Sequence, residues 1–159
     1  MLGAEEAMRA RRWMATVGTG LALVGPAACA RRPAPIVVGA LPNGLDGFLR
    51  AHPVAAGQPL RADEVARTGA ATWHVVQVAT GESPHRHRTH DLTVLVLQGE
   101  GILTLDGARI AMRAGDAAVV ARDRPHWFTR RGAVPAVALV VFTPPLDAPD
   151  SLPVGAGRE

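Results

Sequence analysis

The chain has 159 residues and 48% of them are apolar, which is enough for one compact domain but not for two. Aromatic residues make up only 4% of the chain and tyrosine is absent, so the core must be built mainly from Val, Leu, Ile and Ala. All 17 basic residues are arginines, the formal net charge is +3, and acidic residues are interspersed among them. Because no basic stripe with interleaved aromatic residues forms, nucleic-acid binding is not expected.

The amino-terminal segment, residues 1–30, has the layout of a signal peptide. Its part RARRWMATVGTGLALVGPAACA starts with basic residues, continues with an uncharged apolar centre and ends in small residues around the single cysteine, Cys29. The apolar centre from Trp13 to Val24 is too short and too rich in Gly and Ala for a membrane span, which needs about 20 mostly apolar residues. The segment is therefore predicted to direct export.

Cys29 allows three interpretations. The segment resembles bacterial lipoprotein signals, in which a Cys after a small residue, here Ala28, becomes the lipid-bearing first residue of the mature protein. It departs from them at Pro26, where those signals favour Leu. The alternatives are cleavage after Ala30 without a lipid, or a small buried cysteine in a cytosolic chain. The lipoprotein interpretation places the protein on the periplasmic side of the cell envelope, held to the membrane by a lipid on Cys29 alone.

Residues 31–70 are rich in Pro and Gly and are predicted to form a linker followed by an irregular extension. The stretch LDGFLRAHP can make a short helix that ends before Pro53, because proline disfavours the helical conformation in the residue that precedes it. The stretch LRADEVART is predicted to add one helical turn whose charged side chains face solvent, namely Arg61, Asp63, Glu64 and Arg67.

Residues 71–145 consist of short apolar segments separated by turn residues, unlike the residues before them. Seven of them read as strands: ATWHVVQVA, DLTVLVLQG, GILTLDG, ARIAMRAG, DAAVVARD, HWFTRRG and AVALVVFTP. This pattern predicts an antiparallel β-sandwich or small β-barrel. Asp106-Gly107 between two apolar runs indicates a tight hairpin, and Gly115-Asp116 indicates a second turn.

The proline-rich tail, residues 146–159, is predicted to lie across the barrel surface. Its acidic residues Asp147 and Asp150 are expected to face solvent. Two further acidic residues, Glu82 and Glu100, are expected in turns.

Three histidines, His85, His87 and His90, stand close together where a strand is predicted to begin. Side chains two residues apart on a strand project from the same face, so His85 and His87 converge on one point. Imidazole nitrogens bind transition metals, and His126 in RDRPHWF is the downstream candidate for a third ligand. The pattern predicts a metal site at one end of the sheet.

The stretch from Trp73 to Thr143 resembles the cupin superfamily. The two motifs of that family are carried here by five residues: His85, His87, Gly99, Gly115 and His126. The resemblance implies an all-β fold of the cupin type, a double-stranded β-helix forming a small barrel or jelly roll. It implies a divalent transition metal at the open end, Fe, Mn, Ni or Zn, and a homodimer that forms through an edge strand.

The chain departs from the cupin pattern at the usual glutamate ligand, whose position is taken by Leu92. His90 has the same strand parity as position 92 and is one candidate for the missing ligand. Asp91 is another, but its one-residue offset turns its side chain to the opposite face unless the loop bends. The third possibility is a site of three histidines completed by water, which leaves positions open for a substrate.

Two functions agree with this sequence. The first is a small metalloenzyme, resembling the single-domain cupin dioxygenases, that acts on an anionic small molecule because neutral histidines leave the charge of the metal dication uncompensated. The second is a cell-envelope protein without catalytic activity that binds a metal ion or a small ligand in the barrel.

Further residues beside the motifs have a binding or a structural interpretation: His74 as a pocket or core residue, and Arg86, Arg88 and Arg124 as receptors of an anion or as surface residues.

Overall fold

The computed structural model describes residues 41 and 43–155, and within them the chain folds into one helix and ten strands. The helix α1 spans Gly44–Ala51. The strands are β1 (Leu60–Arg67), β2 (Thr72–Val78), β3 (His85–His87), β4 (Asp91–Gln98), β5 (Glu100–Leu105), β6 (Ala108–Arg113), β7 (Ala117–Val120), β8 (His126–Arg131), β9 (Ala136–Thr143) and β10 (Ser151–Pro153). Within the described residues, no helix has the length and apolarity needed to cross a membrane.

The strands form two antiparallel five-stranded sheets. One sheet has the order β1-β2-β9-β4-β7 and the other has the order β10-β3-β8-β5-β6. Consecutive strands alternate between the sheets or join through tight turns, and this arrangement encloses a barrel. The all-β architecture predicted from the sequence is therefore confirmed.

The barrel interior is filled by aliphatic and phenylalanine side chains from both sheets. The central cluster includes Val76, Val96, Leu103, Val120 and Phe128, all at most 9% exposed. They alternate along their strands with outward-facing residues, because successive side chains of a strand point to opposite faces.

Strand β2 departs from this alternation, because nearly all of its residues are buried. Helix α1 covers the outer face of the strand: Phe48 packs with Val75 and Val137 in a second apolar cluster. A strand that is covered on both faces reads as a continuous apolar run. The burial of both faces of β2, polar residues included, thus follows from the helix packed outside the barrel.

The short helix predicted for LDGFLRAHP is confirmed as α1, whose last turn is closed by a hydrogen bond from His52 N to Phe48 O. The helical turn predicted for LRADEVART is wrong, because these residues form β1, which pairs with β2. Arg61 and Asp63, two residues apart, share one face of this strand and form an ion pair at 2.7 Å. Their spacing was therefore a strand signal.

The hairpin predicted at Asp106-Gly107 is confirmed between β5 and β6. Both residues have positive φ angles, 49° and 83°, which is the geometry of the two-residue turn that favours this dipeptide. The turn at Gly115, with a φ of 97°, is also confirmed between β6 and β7.

The tail differs from the sequence prediction. Asp147 faces solvent, with 83% of its side chain exposed. The same prediction is wrong for Asp150, whose side chain is only 13% exposed because it is enclosed by hydrogen-bond donors from the β3–β4 region. Residues 151–153 form β10, which pairs with β3 and so adds the tail to the second sheet.

Candidate metal centre

Strands β3 and β8 bring three histidines together. His85 and His87 lie on β3, His126 is the first residue of β8, and the antiparallel register places His85 opposite His126. One nitrogen from each of the three rings lies within 4.8 Å of the others. The arrangement can hold a metal ion, and two neighbouring strands of one sheet fix it.

The second ring nitrogen of each histidine is anchored. His85 Nδ1 donates to Ser83 O at 2.9 Å, and His126 Nδ1 donates to Arg124 O at 2.9 Å. His87 Nδ1 donates to the Asp150 carboxylate at 2.7 Å. Carbonyl and carboxylate oxygens only accept hydrogen bonds, so in the neutral form of each ring Nδ1 carries the proton and Nε2 keeps a lone pair. This pattern of support is typical of metal-ligating histidines.

Burial keeps two of these rings neutral. Desolvation lowers the pKa of His126 to about 4. It also lowers the pKa of His87, against the opposing effect of the hydrogen bond to Asp150. Neutral imidazole is the form that binds metals, so both side chains are in the ligand form near pH 7.

The three histidines border a cavity of about 510 Å³ inside the barrel. Its walls are mainly apolar, and Leu92 contributes to them at the position where cupins usually carry a glutamate ligand. Among the described residues that line the cavity, Glu82 carries the one carboxyl group and no arginine is present. A molecule in this cavity would therefore meet apolar walls, four imidazoles, that of His74 among them, and one acid.

Glu82 is a site residue that the sequence reasoning missed. It lies between β2 and β3, as expected for a turn residue, but its side chain lines the cavity and its Oε2 accepts a hydrogen bond from Phe128 N at 2.8 Å. Burial raises its pKa, although the nearby His85 and the Phe128 hydrogen bond oppose this effect. The only signal in the sequence that it belongs to the site was its position, three residues before His85 at the start of β3.

His90 does not join the three histidines. Its ring is buried, its Nδ1 lies 2.5 Å from Asp150 Oδ2, and its Nε2 lies 3.2 Å from Pro145 O. Both nitrogens thus face oxygen acceptors. His90 therefore has no nitrogen directed at the group formed by His85, His87 and His126.

Asp91 also lies apart from this group. Its carboxylate forms an ion pair with Arg122 at 2.7 Å and accepts a hydrogen bond from the backbone N of the same residue, and these bonds lower its pKa to about 2. The side chain faces outward, as its one-residue offset from position 92 predicts.

The remaining candidates divide between the cavity and the surface. His74 lines the cavity, and its buried Nε2 has no hydrogen-bond partner among the described residues. Arg86 and Arg124 are exposed and lie beside Asp123 and Asp106, respectively. Arg88 is exposed as well. Cys29 lies outside the described residues.

Comparison with known proteins places this geometry in context. Residues 72–142 match the family model of the cupin domain. An uncharacterized protein of Aquifex aeolicus is 38% identical over 80 residues, which are 50% of this chain and 65% of the relative. An uncharacterized protein of Methanocaldococcus jannaschii is 29% identical over 77 residues, 48% of this chain and 62% of that protein. The chain thus spans slightly less than two thirds of the length of these relatives.

Solved structures share the fold. KdgF from Halomonas sp. has a TM-score of 0.52 and 24% identity, over 57% of this chain and 84% of that chain. The protein TT1209 from Thermus thermophilus has a TM-score of 0.54 and 20% identity, over 61% and 94%. The Streptomyces nucleoside dehydratase Pac13 has a TM-score of 0.52 and 19% identity, over 60% and 78%. The barrel of this chain therefore has the cupin fold, and residues 72–142 are the part that matches the cupin-domain model.

Proposed function

We propose that His85, His87 and His126 hold one divalent transition metal ion through their Nε2 atoms. The observation that carries this proposal is the anchoring of all three Nδ1 atoms in rings that each bring one nitrogen within 4.8 Å of the others. Neutral imidazoles suit Fe, Mn, Ni and Zn, and three protein ligands leave coordination positions for another molecule.

The ligand that fits this cavity is a small molecule with one anionic group and an apolar body. Leu92 supplies no negative charge at the usual position of the glutamate, so three neutral histidines leave the charge of the dication uncompensated. An enolate, thiolate or carboxylate would compensate it. The apolar walls favour a hydrophobic remainder, and the cavity volume of about 510 Å³ limits its size.

We infer that the site is that of a metalloenzyme related in chemistry to the cupin dioxygenases. The metal would supply Lewis-acid polarisation of the bound anion. The apolar walls around Leu92 and Phe128 would limit the access of water to it. Glu82, whose pKa burial raises, can hold a proton at its carboxyl group and exchange it with the bound molecule.

The alternative is a binding protein without catalysis. The feature that favours it is the scarcity of acid–base groups, because Glu82 carries the one carboxyl group among the described residues that line the cavity. In either function we place the protein in the cell envelope, on the periplasmic side, through the signal segment and Cys29.

Elemental analysis of the untagged full-length protein tests the metal site. We expect close to one transition metal per chain in the wild type and none in the double variant His85→Ala, His87→Ala. His52→Ala is the matched control, because His52 stacks on Phe48 of α1, outside the barrel. An empty wild type after anaerobic exposure to Fe(II), Mn(II), Ni(II) and Zn(II) would contradict the proposal.

The enzyme and the binder are separated by turnover. Carboxylates, thiols and enolisable ketones are offered to the metal-loaded protein, with oxygen consumption and product formation as readouts. Turnover that disappears in His126→Ala supports the enzyme. Tight binding of an anion without oxygen consumption or product supports the binder.

A further inference from the structure

The chain after β9 returns to the histidine site. We call residues 144–154 the C-terminal strap. The strap bonds to the barrel at Leu146, whose backbone N donates to Thr72 Oγ1, and it ends as β10 against β3. It lies beyond residues 72–142, which match the cupin domain. Leu146, Ser151 and Pro153 of the strap line the cavity.

Asp150 is the polar centre of the strap. Its Oδ1 accepts from His87 Nδ1 at 2.7 Å, and its Oδ2 accepts from His90 Nδ1 at 2.5 Å. Thr89 adds two hydrogen bonds to Oδ2, from its backbone N at 3.1 Å and from its hydroxyl at 2.9 Å. Burial raises the pKa of Asp150, but these donors outweigh burial and hold its pKa well below the usual range. The group is therefore a carboxylate with both oxygens engaged.

His90 fastens the strap at two points. While its Nδ1 bonds to Asp150, its Nε2 faces the carbonyl of Pro145 near the other end of the strap. Its ring also packs on Phe142, which touches His87. His90 thus supports Asp150, the carboxylate that bonds to His87. It does not itself belong to the group formed by His85, His87 and His126.

The three histidines differ in how they are oriented. His85 and His126 are each anchored by a carbonyl two residues earlier in the chain, so their support is local. His87 is anchored by a residue 63 positions later. The orientation of His87 therefore depends on the strap, whereas the orientation of the other two depends on their own loops.

We propose that Asp150 is a positioning residue that holds His87 in its Nδ1–H tautomer, with Nε2 directed at His85 and His126. The proposal rests on the proposed metal site, and it extends that site to the C-terminal strap. A carboxylate behind a histidine ligand fixes the ring and strengthens its donor nitrogen, and loss of such a partner typically weakens metal binding by 10- to 100-fold.

The test compares Asp150→Asn with Asp147→Asn in the full-length protein. Asp147 is the matched control, since it lies on the same strap but is exposed and bonds to Arg67. The first readout is the tautomer of His87 in the metal-free protein, from side-chain ¹⁵N NMR. The second is the affinity for Zn(II), from chelator competition.

We expect a single Nδ1–H tautomer of His87 in the wild type and in Asp147→Asn. In Asp150→Asn we expect a mixture of tautomers and roughly 10- to 100-fold weaker Zn(II) binding. An unchanged tautomer in Asp150→Asn overturns the positioning role. A wild type that shows the expected tautomers but binds no Zn(II), Fe(II), Mn(II) or Ni(II) refutes the proposed function and leaves the role of Asp150 standing.

A second variant covers the case in which Asp150→Asn does not fold. Asp150→Glu keeps the negative charge but moves the carboxylate by one methylene. We expect it to keep the Nδ1–H tautomer with Zn(II) affinity between those of the wild type and His87→Ala. Affinity equal to that of His87→Ala, with mixed tautomers in a folded protein, would overturn the proposal.

Discussion

At the residue scale, what an imidazole can bind is decided by the partner of its other nitrogen. In His85, His87 and His126 an acceptor holds Nδ1 and leaves Nε2 available. In His90 both nitrogens meet acceptors. Hydrogen bonding thus separates His85 and His87, which are candidate ligands, from their neighbour His90, which is not.

The stability of the metal-free protein should fall in acid because of His126. Its folded-state pKa, about 4, lies below the ordinary value of 6.5, so its contribution is fully present above pH 6.5 and is lost as the pH falls towards 4. One pKa unit corresponds to about 1.4 kcal/mol, so the loss is roughly 3 kcal/mol. Urea unfolding in EDTA between pH 7 and 4 measures it. His126→Gln should show a shallower pH dependence, and parallel curves would contradict the assignment.

Replacement of Leu92 by glutamate tests the departure from the cupin pattern. Leu92 lines the cavity and pairs with Phe142, whose ring lies 5.2 Å from that of His87. A buried carboxylate without a partner should lower the stability of the metal-free Leu92→Glu protein by roughly 2 to 4 kcal/mol. With metal, the added negative charge should tighten Zn(II) binding, because it compensates part of the charge of the dication.

Leu92→Gln is the control for this change, because it adds a polar group of similar size without the charge. Chelator competition compares the Zn(II) affinities, and thermal unfolding compares the metal-free proteins. Equal Zn(II) affinities of the two variants would show that position 92 does not reach the metal.

The spacing of the histidines predicted the group of three, because a strand places residues 85 and 87 on one face and the cupin pattern supplies residue 126. The hydrogen bond between Asp150 and His87 could not be predicted from histidine spacing or from the cupin pattern. Nothing in the sequence relates residue 150 to residue 87 until β10 pairs with β3. Glu82 was missed because a loop position carries no periodicity that tells where a side chain points.

At the element scale, the contact between β5 and β8 depends on a residue without a side chain. Gly101 pairs with Arg130, and the ring of Phe128 lies over the Gly101 backbone. Phe128 in turn forms part of the cavity wall and presents its backbone N to Glu82. The absence of a Cβ at position 101 therefore lets the second sheet close around the site.

The substitution Gly101→Ala should destabilise the fold. The new Cβ would overlap the ring of Phe128 and would lie 2.5 Å from Thr129 O, an atom that is held by the sheet. We expect a loss of about 1 to 3 kcal/mol in the free energy of unfolding, typical of overpacking. Gly69→Ala is the control, because a Cβ added there would meet no atom within 4 Å beyond its own chain neighbours. Equal denaturant midpoints for the two variants would contradict this account.

The strands were predictable wherever one face is buried and the other is not, and at the Asp106-Gly107 hairpin. Strand β1 was not predictable from the sequence, because a bulge between Glu64 and Ala66 interrupts the alternation of its inward- and outward-facing side chains. The bulge also brings Glu64 and Arg67 together at a spacing of three, which imitates a helix. The local pattern of charges was thus ambiguous, and the pairing with β2 decided the structure.

At the scale of the whole molecule, the cavity needs segments on both sides of residues 72–142, the part that matches the cupin model. Leu60 and Ala62 of β1 line it from the amino-terminal side, and Leu146 and Pro153 of the strap line it from the carboxyl-terminal side. A domain cut at residues 72–142 would open the cavity at both places. Variants are therefore best studied in the full-length chain.

The homodimer implied by the cupin resemblance stays a prediction, which sedimentation equilibrium of this chain can test.

The processing of the amino terminus is the prediction that concerns the whole molecule. The apolar segment before Cys29 and the proline-rich residues 31–40 predict export, attachment of a lipid to Cys29 and a tether that leads to the folded domain. In a bacterial host that processes lipoproteins, we expect the protein in the membrane fraction, with an intact mass that starts at a lipid-bearing Cys29. Cys29→Ser should lose the lipid and leave that fraction while it keeps the same metal content. A mature chain that starts at Arg31 without lipid would support ordinary cleavage. An intact chain from Met1 in the cytosol would refute export.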